Sequence, residues 1–308
     1  MKPTIIMQCL LGVILLCVNP GFSKKSEPDE KWTQKSAQSE LSTETKMEVD
    51  IELSMVDLTL SRATGDQAYD IDIDYDERHF EPLISYKVRG DYGILELGMD
   101  YDEEITDHKD LEDLFRGVIS HDHHKEGTRH NKWNVLLTDR VPLEISAELA
   151  MGRGDLDLTD LKIDDLKLEA GMSDLTVKFD KPNPVTMDRL AAEVGLGSFE
   201  LTKLGNASVK QLSIEVGLGS ATIDLSGPIT PNLSAQLDVG LGSLELLIPE
   251  GLPVKINCDC SFLSSVDFDD FRKQGESTYY SPGYQEGKDY VTLNMSVGLG
   301  SAKVKWVD

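Results

Sequence analysis

Basic residues, cysteines, apolar runs and catalytic signatures are all scarce in this chain of 308 residues. It carries 30 Lys and Arg against 55 Asp and Glu, a formal net charge of −25. That imbalance argues against nucleic acid, anionic lipid and polyanionic wall polymers as direct ligands, and leaves cations or a basic protein face as attracted partners. A solvated surface that keeps the chain in solution accounts for the same charge. One N-terminal apolar run occurs, Ile5 to Val18, behind Met1-Lys2 and ahead of Asn19-Pro20-Gly21-Phe22-Ser23. A basic start, a short apolar core and small residues at its end describe a secretory signal over 1–23, cut after Ser23. The run is short for a spanning helix, and a retained anchor is the alternative. Cys17 suggests a lipoprotein site, but Leu15-Leu16 before it lack the small residue such a site wants. Without a second run of spanning length, the mature chain is expected to be exported, periplasmic or at the cell surface, with no transmembrane segment.

Two of the four cysteines fall in the signal, leaving Cys258 and Cys260. Residues i and i+2 of an extended strand share a face, with Cα atoms near the upper limit for a disulfide. A strained local bridge and two free thiols are the alternatives. A metal or redox role has no third ligand nearby in sequence. There is no G-x-S-x-G elbow, P-loop or Rossmann fingerprint.

What is present in quantity is one motif, Gly-Leu-Gly-Ser, at 195–198, 217–220, 240–243 and 298–301, with weaker copies at 152–155 and 171–174. A phase change sits at each copy. Leu212, Ile214, Val216 and Leu218 are even-numbered, whereas Ala221, Ile223 and Leu225 are odd. Period two means a strand with one buried face, and a slip of one residue would turn the second half inside out. The chain must therefore absorb an extra residue in a corner, for which glycine is suited. Gly195, Gly197, Gly217, Gly219, Gly240, Gly242, Gly298 and Gly300 are the predicted structural corners. The motifs recur in steps of 19, 24, 22 and 23 residues, then one of 58. Leu156, Leu158, Leu161, Ile163, Leu166 and Leu168, spaced alternately by two and three, place pairs of apolar residues on successive walls. The expected fold is all-β: a single-chain β-solenoid of coils of about 20–24 residues with a small N-terminal β cap region. A β-sandwich of consecutive hairpins is the alternative.

Ahead of the repeats, residues 24–45 are polar and read as a flexible linker. Residues 46–130 read as an N-terminal β region and 131–308 as the repeat domain. Within the former, Asp70, Asp72, Asp74 and Asp76 alternate with Tyr69, Ile71, Ile73 and Tyr75, a solvated acidic edge strand rather than one Ca²⁺ site. Residues 98–130 look like an insertion, with Leu111, Leu114, Phe115 and Val118 at helical spacing and then a histidine-rich loop. His121, His123, His124 and His130 are candidate ligands for a divalent metal, the alternative being a solvent-exposed loop.

From Asn131-Lys132-Trp133-Asn134-Val135-Leu136-Leu137 the chain resembles a known family. Together with Val141-Pro142-Leu143-Glu144-Ile145, Gly152-Arg153-Gly154-Asp155-Leu156-Asp157-Leu158 and Leu161-Lys162-Ile163, these residues resemble the bacterial toast-rack domain. That family is akin to the extracytoplasmic region of LiaF-type envelope stress-response proteins and to adhesin-like envelope proteins. Pro82-Leu83-Ile84-Ser85-Tyr86-Lys87-Val88 and Val297-Gly298-Leu299-Gly300-Ser301-Ala302 extend the likeness over roughly 46–308. The resemblance implies a β fold and an envelope setting, and brings no catalytic residues. The membrane helices of the LiaF type are missing here, so transmembrane signalling does not carry over.

The leading functional expectation is a non-catalytic exported binding or scaffold module, without a cofactor, for an envelope protein partner or its own copies. A carbohydrate-active β-helix enzyme is the first alternative, with Asp155, Asp157, Asp164, Asp165 or Asp174 as acid, base or Ca²⁺ ligand. A periplasmic metal binder working through the histidine loop is the second. The repeated Ser198, Ser220, Ser243 and Ser301 read as corner hydrogen-bonders, not nucleophiles.

Overall fold

The computed structural model describes residues 32–101, 130–260, 263–288 and 290–307. Their strands are β1 (Trp32–Glu40), β2 (Lys46–Leu53), β3 (Val56–Arg62), β4 (Gln67–Asp76), β5 (Phe80–Arg89), β6 (Tyr92–Tyr101), β7 (Asn131–Leu137), β8 (Leu143–Asp157) and β9 (Ile163–Lys178). They continue as β10 (Met187–Thr202), β11 (Val209–Asp224), β12 (Ser234–Pro249), β13 (Val254–Cys260), β14 (Ser265–Asp267), β15 (Arg272–Gln274), β16 (Thr278–Tyr280) and β17 (Val291–Val307). All are hydrogen-bonded into one sheet.

Six long strands form the body, paired parallel in the order β8, β9, β10, β11, β12, β17. Like residues stand beside like: Leu149, Ala170, Val194, Val216, Val239 and Val297 make one buried column. Leu156, Val177, Leu201, Ile223, Leu246 and Val304 make another, beyond the glycine motif. Each long strand thus supplies two walls, with one core between them. A fully buried aliphatic side chain stabilises by about 1.5–3 kcal/mol, so the inward columns are the main source of cohesion. This parallel stacking is the solenoid the repeat predicts. A sandwich of consecutive hairpins would have paired the strands antiparallel.

The alternating leucine spacing marks the turn from one coil to the next. Leu156, Leu158, Leu161, Ile163, Leu166 and Leu168 are all buried. Farther along the same side, asparagines satisfy the turning backbone. Asn183 Nδ2 donates to the carbonyls of Ile163 (2.7 Å) and Ala207 (3.1 Å), and Asn206 Nδ2 donates to that of Phe179 (2.8 Å). Buried amides in such turns remove the cost of unpaired carbonyls.

At both ends the chain goes outward and then returns inside itself. β2 and β3 act as two halves of one coil beside β8, with Met47 opposite Leu143 and Val56 opposite Gly152. β6 and β7 form the next coil out, against β2 and β3. β5 pairs antiparallel with β6 across the Gly90 turn, β4 with β7, and β1 closes the edge on β4. At the far end β17 slots between β12 and the outer half-strands β13 and β14. The 58-residue step therefore holds one coil, β13–β14, and a hairpin, β15–β16.

Several expectations need correction. The flexible linker expected over 24–45 does not hold from Trp32 onward, because β1 is a strand. An edge strand needs backbone partners more than an apolar face, and Lys35 Nζ also donates to Pro82 O (2.7 Å). The aspartate-rich strand β4 is not an edge, since β1 and β7 flank it. Pairing also crosses the expected boundary at 130/131, β7 being bonded to β3 and β4. The helical pattern at 107–118 and His121, His123 and His124 lie outside the described residues.

Candidate interaction surface

The glycine motif is where one wall becomes the other. In β11, Val216 and Ala221 are both buried although five apart, so Gly217 to Ser220 absorb the change of parity. Gly219 has φ +146°, and a Cβ there would lie 1.7 Å from the carbonyl oxygen of Gly197 in the neighbouring coil. Gly217 needs glycine for another reason: its φ is unexceptional, but a Cβ would meet Gly195 O at 2.7 Å. The positive φ thus falls on the second glycine of the motif, with the first required by close approach of backbones.

Between those glycines the leucine points outward. Even-number parity places Leu218 on the buried face with Val216, and the structure overturns this. Leu196, Leu218, Leu241 and Leu299 are 45%, 42%, 42% and 45% exposed. The turn begins at Gly217, so the count from Val216 has already lapsed one residue later. The four leucines stand in register on adjacent strands, and half-buried Met172 and Met151 continue the row. At about 4.8 Å per strand, six rungs make an apolar ridge about 24 Å long. Leu263, two residues before the Ser265–Ser301 pair, is also exposed at this end. A run of exposed aliphatics in register along one edge is the kind of patch that marks an interaction site.

An acidic column flanks the ridge. Glu52, Glu148, Glu169, Glu193, Glu215 and Asp238 are successive cross-strand neighbours. Burial, and then the charges of Glu169 and Glu52, push the Glu148 carboxyl above its ordinary range. Burial, Glu215 and Glu169 do the same to Glu193. Lys167 pairs with Glu169 and relieves the column at that rung. On the other side of the ridge Ser198 donates from its backbone N (3.0 Å) and Oγ (2.5 Å) to Asp174 Oδ1.

The carboxylates considered for catalysis are not brought together. Asp157 pairs with Lys178 (3.3 Å), Asp164 with Lys46 (2.6 Å) and Asp165 with Arg189 (3.1 Å), while Asp174 holds Ser198. Asp155 lines a cleft of about 650 Å³ with Asp57, Asp72, Asp74, Lys132 and Arg153. Its one aromatic liner, Trp133, is only 1% exposed and offers no stacking platform. Among the described residues no group of three or more His, Cys, Asp or Glu side chains is placed to hold a metal ion. His130 Nδ1 sits 3.6 Å from Asp57 Oδ2. Cys258 and Cys260 on β13 form a disulfide with Cα atoms 5.3 Å apart. Phe271 stacks on Trp306 at 5.5 Å and Phe268 meets Tyr279 edge-on at 5.0 Å, packed against the core.

Comparison with known proteins adds the family. The model described as the N-terminal domain of toast_rack, DUF2154, matches residues 24–202, more than half of the chain. The chain belongs to this family. No curated protein matches the toast-rack chain significantly. Solved structures similar to it include a proposed cell adhesion protein from Clostridium sporogenes, 18% identical, covering 90% of this chain and 100% of that one, with a TM-score of 0.43. A proposed adhesin from Bacteroides fragilis is 12% identical, with 90% and 99% coverage and a TM-score of 0.34. A proposed lipid binding protein from Parabacteroides distasonis is 11% identical, with 88% and 97% coverage and a TM-score of 0.30. Among the described residues no helix is long and apolar enough to cross a membrane.

Proposed function

We propose that this chain is a non-catalytic, exported binding or scaffold module of the cell envelope, working as a rigid toast-rack solenoid that presents its outer corner to a protein. The observation that carries the reading is the register of Leu196, Leu218, Leu241 and Leu299, exposed on a corner whose neighbouring glycines are fixed by the fold. Family membership supports the envelope setting, and the sequence of residues 1–23 supports export. The test is affinity capture from an envelope extract with the mature chain and with a Leu218→Ser/Leu241→Ser variant, compared by mass spectrometry. A protein retained by the first and lost by the second is the expected result. Capture of nothing, by a protein that sediments as a strict monomer, counts against the reading.

A carbohydrate-active enzyme is the second reading, favoured by the Asp57, Asp72, Asp74 and Asp155 cleft alone. Release of reducing ends from envelope glycans, abolished by Asp72→Asn or Asp155→Asn, would establish it in place of the first. The metal-binding alternative rests on His121, His123, His124 and His130. Calorimetry with Zn²⁺ and Ni²⁺ before and after deletion of 121–130 decides it, an unchanged isotherm rejecting that site.

A further inference from the structure

We infer that the leucine ridge and the carboxylate column beside it form one docking face for a cationic amphipathic helix of a partner protein. This deepens the binding-module reading by naming where the partner sits and what chemistry it presents.

Geometry is the first ground. The six rungs Met151, Met172, Leu196, Leu218, Leu241 and Leu299 run across the strands, so the ridge lies along the solenoid axis. Its length of about 24 Å matches a helix of about 16 residues, and a helical turn of about 5.4 Å falls close to the strand spacing of about 4.8 Å. An apolar stripe at i, i+3, i+4 and i+7 would therefore meet successive leucines for several turns before losing step.

Charge is the second, independent ground. Glu148, Glu169, Glu193, Glu215 and Asp238 stand three residues before their leucine or methionine in each coil, on the same outer surface. In-register carboxylates repel one another, and Lys167 is the cation that pairs within this column among the described residues. A partner helix with lysines or arginines beside its apolar stripe would relieve that repulsion as it covers the leucines. A second copy of this chain, at a formal charge of −25, would bring a like-charged column and add to it. An anionic lipid surface is disfavoured for the same reason.

Fluorescence anisotropy with two labelled synthetic 18-residue helices tests the docking face. One carries a leucine stripe with lysines elsewhere, and the other has glutamate in place of every lysine. The mature chain is expected to bind the lysine peptide and to bind the glutamate peptide at least about tenfold more weakly. Leu218→Ser/Leu241→Ser should weaken the lysine peptide by about tenfold or more. Glu193→Gln/Glu215→Gln should weaken it and flatten its salt dependence. Both variants change exposed side chains, and unchanged circular dichroism confirms that each is folded. Equal binding by the leucine variant would reduce the effect to charge alone and overturn the proposal, as would equal binding of the glutamate peptide. A wild-type dimer dissociated by Leu218→Ser/Leu241→Ser would assign the ridge to a second copy instead. If both peptides fail while envelope capture still depends on the leucines, the module reading stands and the partner class falls.

Discussion

Two outward faces of the solenoid carry similar acidic residues in different electrical states: the carboxylates stacked beside the leucine ridge, and the acids and lysines beyond the glycine corner. On the wall before the glycine corner, carboxylates stand rung above rung, and Glu48, Asp50, Glu148 and Glu193 are all pushed upward, first by burial and then by other carboxylates. On the wall beyond it and the turn that follows, acids alternate with lysines. Lys178 bridges Asp157 (3.3 Å) and Asp180 (2.7 Å), Lys203 reaches Asp180 (2.8 Å), and Lys181 reaches Asp160 (2.7 Å). Hydrogen bonds from Lys178 and Lys203 hold Asp180 below its ordinary value. In parallel in-register stacking each outward residue meets its counterpart from the next coil. A repeat that conserves its outward charge therefore builds repulsion, and one that alternates it builds pairs. The column next to the exposed leucines keeps a penalty that ion pairs remove elsewhere, through Lys46 and Arg189 on the same wall and Lys178 beyond the corner.

The comparison depends on the two walls being held at fixed register, so breaking the joint between them should have the largest effect. Gly219→Val adds both a strained φ and a Cβ that would sit 1.7 Å from Gly197 O. It is expected to cost about 3 kcal/mol or more, seen as a fall in Tm or failure to fold. Gly217→Ala should cost less, because its φ is ordinary and only the 2.7 Å approach to Gly195 O must relax. If denaturant melts showed Gly219→Val unchanged, the corner would not be the joint. On the opposite side, Asn206→Ala leaves Phe179 O without its donor at 2.8 Å, an expected loss of about 2 kcal/mol by urea titration.

Much of this contrast between the walls was legible in the sequence, and its decisive part was not. The parity change across Gly217 to Ser220 and the leucine spacing from Leu156 to Leu168 announce corners and parallel coils, because both follow from period two. Leu218 was misplaced because counting forward from Val216 and backward from Ala221 gives conflicting faces, and the residues between belong to neither count. Glycines on both sides of a recurring leucine were the available signal, since such a leucine has little beside it to pack on. The return of β17 between β12 and β13 is non-local, and no residue in 254–290 encodes it. β1 was hidden because Thr33, Lys35 and Ser39 suit a hydrogen-bonded edge as well as a linker. His121, His123 and His124 stay where the sequence left them.

The repelling and the paired carboxylates should also part company with pH. An acid whose folded pKa is raised destabilises the fold when ionised, so the first wall gains stability as pH falls from neutrality through the raised values of Glu48, Asp50, Glu148 and Glu193. Asp76, Asp157 and Glu144 have lowered values. For Asp76 and Asp157 burial is outweighed by hydrogen bonds from Arg78 and from Thr159 and Lys178 respectively; for Glu144 hydrogen bonds from Lys46 and Tyr92 lead. Their contribution is present above the unfolded carboxyl pKa and is lost as pH falls through the folded one. Stability is therefore expected to peak in mildly acid solution at low salt, and the peak to flatten in high salt. A thermal melt series that declines steadily below neutrality would mean the first wall carries no penalty.

The smallest effect is also the sharpest test of the contrast, because it uses one charge on each wall. Glu193→Gln removes a carboxylate that faces Glu169 on one side and Glu215 on the other. Lys178→Gln removes a cation shared by Asp157 and Asp180. Directly opposed like charges cost roughly 0.2–1 kcal/mol in a sheet, so the first change should stabilise by about 0.5 kcal/mol. The second should destabilise by a similar or smaller amount, since its side chains are partly solvated. Each neutralises one charge, so net charge moves by one unit in opposite directions: Glu193→Gln makes the chain less negative and Lys178→Gln more so. Their signs alone could then reflect the global charge rather than the local column. The control is Asp91→Asn on the β5–β6 turn, outside the column, where asparagine keeps an acceptor for Thr45 Oγ1 (2.8 Å) and changes net charge as Glu193→Gln does. If Asp91→Asn raises Tm as much as Glu193→Gln, the column is not a local source of repulsion; a gain confined to Glu193→Gln, shrinking with added salt, locates the penalty beside the leucine ridge.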